Sequence, residues 1–270
     1  MAFWAVGALL PSRTSSASMT WFRFNGFFSA PEHRNTPARR GDTISVPTPV
    51  QEPFPPLTFD GPLLVVGGSA FAPRLLSELA PRAVGIVGAD SGADAIVAAG
   101  LVPDAVIGDM DSVADPKGFG PHTRIVALAE QQTTDFEKCL YSTRAPVTLA
   151  VGMTGGRFDH TLAALHAIAR YAEERRIILI DEHDLALGVS GSIRLRVGVD
   201  QRVSIYPLGR TQFSGSRGLA YPLDGLVMEQ GRFIGTSNAS IADEIEISVA
   251  PGKQSPWLLI LERSLLPRLL

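Results

Sequence analysis

LLVVGGSAFAPRLLSELAPRAVGIVGADSGADAIVAAGLVPDAVIGDMDS, residues 63–112, alternates short Val/Ile/Leu-rich runs with stretches of helical spacing. The runs LLVV, VGIV and AVI carry no polar alternation, which suits strands covered on both faces. Between them, APRLLSELA (72–80) and SGADAIVAAG (91–100) repeat apolar residues at helical intervals, and Gly100 stands where a helix would stop. Strand, helix and strand in this order predict parallel pairing, because a crossover is needed to bring the next strand in the same direction.

The pattern continues outward. RIVALAE (124–130), VTLAVG (147–152) and RIILI (176–180) read as further strands, and TTDFEKCLYST (133–143) and FDHTLAALHAIARYAEER (158–175) as helices. We therefore expect an α/β domain over 61–183, built on a doubly wound, Rossmann-like parallel sheet. After Asp184 the helical spacing stops. LALGV, SIRLRVG, RVSIYPL, TQFSGS, RFIGT, EIEISV and WLLILER follow at short intervals, broken by Gly, Pro, Asp and Asn. This predicts a smaller all-β sandwich domain over 184–270.

Residues 1–60 are expected to be a disordered or atypical N-terminal extension. Residues 31–60 are rich in proline with little periodicity. AFWAVGALL (2–10) and the serines after it resemble a secretion signal without its positive n-region, and Met19 is a candidate initiator. Lys and Arg number 24 against 27 Asp and Glu, a net charge of −3. No global positive field is available to hold nucleic acid or an anionic membrane, so any anionic ligand must be held locally. No apolar run reaches the roughly 18 residues of a spanning helix. Cys139 is the single cysteine, which rules out an intrachain disulfide, and no Cys/His spacing suits zinc. A reducing, cytoplasmic setting is expected, with Cys139 a small core residue.

Four short stretches carry the chemistry: GADSGAD (88–94), GDMDS (108–112), TTDFEK (133–138) and GGRFDH (155–160). Each lies beside the end of an apolar run or the start of a helix, and in a parallel sheet the loops at the carboxyl ends of the strands converge. Asp109 and Asp111 form a D-x-D pair that suits Mg²⁺, which takes oxygen ligands from carboxylates, phosphates and water. Aspartate is also common in turns, so the convergence of Asp90, Asp109, Asp111 and Asp135 carries the metal reading more than any one motif. Thr134 reads as a helix cap. Lys138, three residues beyond Asp135, reads either as a surface ion pair or as a point charge on phosphate. Gly155 and Gly156 let backbone approach phosphate, and Arg157 can grip its oxygens with two donors. His160 is either a polar helix-start residue or a ligand or proton-transfer group. Neither GxxxxGK[ST] nor GxGxxG is present, and the glycines of LLVVGGSAF are too weak to count alone.

Taken in order, ADSGAD, PDAVIGDMDS, TTDFEKCL, GGRFDH and a late GTSNAS (235–240) resemble the thiamin pyrophosphokinase family, over about residues 63–262. The resemblance implies an α/β domain that holds Mg-ATP, a β-sandwich domain that binds thiamin, and a homodimer with the active site in a cleft between subunits. It implies transfer of the pyrophosphoryl group of ATP to the hydroxyl of thiamin, with release of AMP. By position, Asp109, Asp111 and Asp135 match the metal carboxylates. Asp90, Thr134, Lys138, Arg157, Asp159 and His160 fall in the nucleotide and phosphate motifs, and Ser237 and Asn238 in the thiamin segment. Asp111, Asp135, Lys138 and Arg157 are the catalytic candidates: either carboxylate can accept the hydroxyl proton, and the two cations offset charge developing toward AMP. Ser91 stands where the family often has glycine, and Gln132 where it usually has an acid. Tyr221 and Trp257 are aromatic positions of the second domain, with Trp257 read as core. Two alternatives remain: a pyrophosphokinase for another hydroxymethyl heterocycle such as a pterin, and a non-catalytic nucleotide- or thiamin-binding module.

Overall fold

The computed structural model describes residues 55–115 and 118–270, so the expected extension lies outside the described residues up to residue 54. The first half alternates as its spacing predicts: β1 (Leu63–Val66), α1 (Pro73–Leu79), β2 (Gly85–Ala89), α2 (Gly92–Ala98), β3 (Ala105–Gly108), β4 (Arg124–Ala127), α3 (Asp135–Ser142), β5 (Val147–Val151), α4 (Phe158–Tyr171) and β6 (Arg176–Ile180). Gly100, at φ +75°, follows α2 in the left-handed conformation that ends helices.

The second half adds β7 (Asp184–Val189), β8 (Ile193–Arg196), β9 (Arg202–Pro207), β10 (Thr211–Arg217), β11 (Val227–Met228), β12 (Gly235–Ala239), β13 (Glu244–Val249) and β14 (Trp257–Glu262). One expected run moves. Only Gly235 and Thr236, the last two residues of RFIGT, fall in a strand. Phe233 makes only an isolated bridge to Glu229, and the strand runs on from Gly235 as GTSNA.

Ten strands form one sheet in the order β12-β9-β14-β7-β6-β5-β1-β2-β3-β4. The six from β6 to β4 pair in parallel, and every pair from β6 to β12 is antiparallel. The sheet thus continues through residues 183–184, where the spacing suggests a domain boundary. A short turn makes the join: Asp181 Oδ1 accepts from the N–H of Asp184 at 2.7 Å, and β7 folds back on β6. Periodicity along the chain reports which faces are buried but not which strand is the neighbour.

Both faces of the parallel half are covered. Leu64 and Val66 share a core with Leu75, Leu76 and Leu79 of α1 and Ile96 of α2. Leu63 and Val65 share the other with Phe136 and Leu140 of α3 and Ala167 and Ile168 of α4. Alternate side chains of one strand therefore feed opposite layers, each buried leucine contributing about 1.5–3 kcal/mol. The core under α1 and α2 runs on into the antiparallel half. There β8, β13, β10 and β11 form a separate four-stranded sheet, whose Phe213, Ile245 and Ile247 join Leu187, Val203 and Leu259. Trp257 is core, as expected: it meets Phe213 edge-on at 5.5 Å, and its indole N–H donates to Gly191 O. Cys139 is also buried.

Candidate active site

The strand order changes direction between β1 and β5, the crevice where ligands gather in open α/β sheets. A cleft of about 770 Å³ opens there, lined by the loops after β1, β2, β3 and β5 and by the start of α3. Its floor is tight. The N–H of Gly67 donates to Val151 O at 2.8 Å, and that of Ser69 to Gly152 O at 3.0 Å. A Cβ on Gly67 would stand 2.5 Å from Gly152 O, and Gly152 itself sits at φ +71°, so neither position admits a side chain without moving backbone.

Three carboxylates meet at one side of this cleft. Asp90, Asp109 and Asp135 each place an oxygen within 4.8 Å of the others. Their convergence has a backbone cause. Asp90 (φ 48°) and Met110 (φ 65°) both take the left-handed conformation that side chains usually avoid, which turns the ends of β2 and β3 sharply. Gly108 leaves room: a Cβ there would lie 2.8 Å from the Asp90 Cβ and 3.2 Å from Asp135 Oδ1. Asp111 stands outside the triad. It is exposed, and its Oδ1 accepts from the Ser112 hydroxyl at 2.8 Å.

The three acids differ electrostatically. Asp90 is buried, and its Oδ1 has no hydrogen-bond partner. Burial, then the Asp135 charge, raises its pKa above the ordinary aspartate value. Asp109 moves the other way. The Gln131 amide donates to its Oδ2 at 2.7 Å, and this bond, with the N–H of Asp111 and the Lys138 charge, outweighs burial and holds its pKa low. Lys138 lies beneath them, 3.0 Å from Asp135 Oδ1 and 3.8 Å from Asp109 Oδ2, with its side chain 2 % exposed. The pair therefore encloses its cation while Asp135 stays partly open to the cleft, which Lys138 also lines, so it is not a surface pair.

An all-oxygen donor set with one buried, unpartnered carboxylate oxygen suits a hard divalent cation such as Mg²⁺. Asp90, Asp109 and Asp135 are the residues that could hold it.

Thr134 caps α3 as its sequence predicts, its hydroxyl accepting from the Glu137 N–H at 3.4 Å. Across the cleft, Arg157 and Asp159 open α4. The guanidinium donates twice to the Asp159 carboxylate, at 3.1 and 2.6 Å, with both side chains exposed. That pairing raises the Arg157 pKa and lowers that of Asp159. Arg157 and His160 line the cleft; the N–H of His160 donates to Asp159 Oδ1.

Ser237 and Asn238 lie elsewhere, on β12 at the far edge of the sheet. The Asn238 amide is occupied: Oδ1 accepts from the N–H groups of Tyr221 and Ala239, and Nδ2 donates to Tyr221 O at 2.7 Å. Ser237 takes φ 62°, and its N–H donates to the Ser204 hydroxyl. Tyr221 is exposed beside them.

Sequence reading passed over several participants. Gly67, Gly68 and Ser69 line the cleft; the glycine pair after an apolar run was visible but weak. Gln131 had no signal, because an amide in a polar loop reveals its partner only when the loop is folded. Glu130, which binds that loop together, had none for the same reason.

The chain is similar to known proteins. A family model described as "Thiamin pyrophosphokinase, catalytic domain" matches residues 76–180, and "Thiamin pyrophosphokinase, vitamin B1 binding domain" matches residues 192–253. The chain is 28% identical over 161 residues to Thiamin pyrophosphokinase 1 of Caenorhabditis elegans, covering 53% of this chain and 65% of that protein. It is 28% identical over 177 residues to Thiamine pyrophosphokinase 1 of Oryza sativa subsp. japonica, covering 59% and 66%. The chain thus spans a little under two thirds of the length of these curated relatives. Among solved structures, the thiamin pyrophosphokinase of Geobacillus thermodenitrificans superposes with a TM-score of 0.63 at 22% identity, covering 74% of this chain and 97% of that one.

Proposed function

The chain belongs to the thiamin pyrophosphokinase family, and from that membership we propose that it transfers the pyrophosphoryl group of ATP to the hydroxyl of thiamin, giving thiamin diphosphate and AMP. The observation that carries this reading is the triad Asp90, Asp109 and Asp135 at one side of a cleft large enough for a nucleotide. Its oxygen donors suit Mg²⁺, which when bound would neutralise triphosphate charge and polarise the phosphorus under attack.

The remaining chemistry falls to the chain. The hydroxyl oxygen of thiamin attacks the β-phosphorus, the bond from that phosphorus to the α-phosphate oxygen breaks, and AMP leaves. Transfer of this kind depends on positioning and charge neutralisation. Arg157, exposed at the cleft wall, is suited to grip phosphate oxygens in place of its present partner Asp159. Lys138 keeps the carboxylates from repelling one another and holds Asp135 in place. Asp111, exposed two residues beyond Asp109, is the acceptor for the hydroxyl proton in this reading. Thr134 fixes the start of α3, and the glycine floor with Gly156 and His160 forms the nucleotide side.

The parallel strands, ordered β6-β5-β1-β2-β3-β4, support describing that half as a doubly wound, Rossmann-like sheet with its ligand crevice at the reversal. The packed antiparallel layers support the sandwich description, with residues 61–183 as the catalytic domain and 184–270 as the thiamin domain. Ser237 is eight strands along the sheet from Asp109, roughly 38 Å at about 4.8 Å per strand. The two segments therefore suit one site only if each comes from a different copy, which supports a homodimer with thiamin between subunits. Among the described residues no helix is long and apolar enough to cross a membrane. The single, buried, unpaired Cys139 supports a cytoplasmic setting.

Purified protein incubated with thiamin, ATP and Mg²⁺ and then chromatographed tests the reaction. Thiamin diphosphate with equimolar AMP is the expected result. Thiamin monophosphate with ADP would mean attack at the γ-phosphorus. Nucleotide binding without any thiamin product would direct attention to a pterin-like alcohol or to a binding role.

A further inference from the structure

We propose that Glu130 is a positioning residue for the metal-binding carboxylates: it touches neither substrate nor metal and acts by folding the loop that places Gln131 on Asp109 and starts the helix carrying Asp135. The inference rests on the function proposed above.

Four donors converge on this one carboxylate. Oε2 accepts from the N–H groups of Gln132 at 2.7 Å and Thr133 at 3.1 Å. Oε1 accepts from the Thr133 hydroxyl and from the Tyr141 hydroxyl at 3.1 Å. Such a set occupies the accepting capacity of a carboxylate. Glu130 is also not among the residues that line the cleft. Burial alone would raise its pKa, but these bonds hold it below the ordinary glutamate value, so the group is an anion built into the loop.

The geometry shows what the anion secures. Tyr141 is buried in α3, so its bond to Glu130 ties the loop back onto the helix that the same loop begins. The loop is thereby closed at both ends: at Thr134, which caps α3, and at Tyr141 near its last turn. Held between these points, Gln131 presents its amide to Asp109 Oδ2 at 2.7 Å. Two further carboxylates lie within 4.8 Å, so Asp109 would turn away from them unless a donor fixed it. Groups that orient ligands in this way commonly change metal affinity by about 10–100-fold when removed.

Mn²⁺ binding to the full chain without substrates, followed by electron paramagnetic resonance, tests the inference independently of turnover. Glu130→Ala should weaken Mn²⁺ by about 10–100-fold and raise the Mg-ATP KM more than it lowers kcat. Glu130→Gln keeps the shape and one acceptor oxygen, and the two hydroxyls can reverse to accept from its amide, so it should recover most of the affinity. Gln131→Ala should match Glu130→Ala, and the double variant should be little worse than either, because one acts through the other. Tyr141→Phe removes one donor and gives a milder loss, which keeps the test decisive if circular dichroism shows Glu130→Ala unfolded. Equal damage from Glu130→Gln and Glu130→Ala would make Glu130 a direct ligand or a base and overturn the proposal. Wild-type Mn²⁺ affinity in both Glu130→Ala and Tyr141→Phe would also overturn it. Failure of the wild-type chain to bind Mn²⁺ would instead sink the metal site itself.

Discussion

Lys138 and Asp135 form an ion pair at 3.0 Å whose cationic partner is almost wholly buried, 2 % exposed, beneath three carboxylates. One turn of α3 thus presents a carboxylate to the cleft and places its counter-charge underneath. A lysine in that position has little freedom to follow a ligand, but it lowers the repulsion among Asp90, Asp109 and Asp135 before any cation arrives.

Replacing that lysine tests this role. Lys138→Met should destabilise the metal-free protein by about 2–3 kcal/mol, short of a fully enclosed pair because the Asp135 side chain is 34% exposed. Millimolar Mg²⁺ should reverse part of the loss, as a second source of positive charge. Thermal melts with and without Mg²⁺ decide it. A loss untouched by the metal would mean that packing of the lysine stem, not charge, is what matters.

Asp90 should show the opposite balance between stability and function. Its buried Oδ1 has no partner and two acids stand beside it, so Asp90→Asn should raise the melting temperature of the metal-free protein by a few degrees, roughly 2–4 °C per kcal/mol gained. The same change should remove the stabilisation that Mg²⁺ gives the wild type. The pH dependence has a definite sign. The folded-state pKa of Asp90 is raised, so above the ordinary aspartate value the folded chain holds a proton that the unfolded chain has released. This group's contribution therefore falls as pH rises through that window, and Asp90→Asn should flatten that part of the curve.

Asp109→Ala should abolish Mn²⁺ binding and lower kcat by at least about 10²-fold, with little change in fold. Full activity in saturating Mg-ATP would remove Asp109 from the metal site.

Arg157→Ala should leave the melting temperature unchanged, because the Arg157–Asp159 pair is exposed on both sides. If Arg157 grips phosphate, kcat/KM for ATP should fall by about 10²-fold, and Arg157→Lys should restore little because two-donor geometry is lost. Unaltered kinetics would return the pair to a surface contact.

Asn238→Ala should cost about 1–2 kcal/mol, since the amide satisfies both backbone groups of Tyr221. Ser237→Ala should leave stability nearly intact. A larger thiamin KM in both, with the ATP KM unchanged, would tie this edge strand to the thiamin side of the site.

Much of the site was legible before folding because its parts sit at strand ends and helix starts. Asp90 and Asp109 follow apolar runs, Thr134 precedes a helix, and Gly155 and Gly156 join a strand to a helix. The end of each uninterrupted apolar run, where Gly, Asp or Thr begins, marks these boundaries locally. What remained hidden depends on neighbours distant in sequence. Gln131 meets an aspartate 22 residues away, and Asn238 meets the backbone of Tyr221, 17 residues away. No local spacing encodes such pairs.

The sequence by itself determined the alternation of strands and helices, the clustering of acids in loops at one end of the strands, and the change to all-β structure after Asp184. Those features follow from periodicity and turn chemistry, which act over a few residues. Only the tertiary structure decided that Asp90 joins Asp109 and Asp135 while Asp111 stays outside the triad, that Lys138 is buried, and that one sheet runs through both halves. These outcomes rest on the left-handed turns at Asp90 and Met110, the space left by Gly108, and the pairing of β6 with β7. Each is a choice of direction or partner, settled by packing across the whole core, and it leaves no period in the chain.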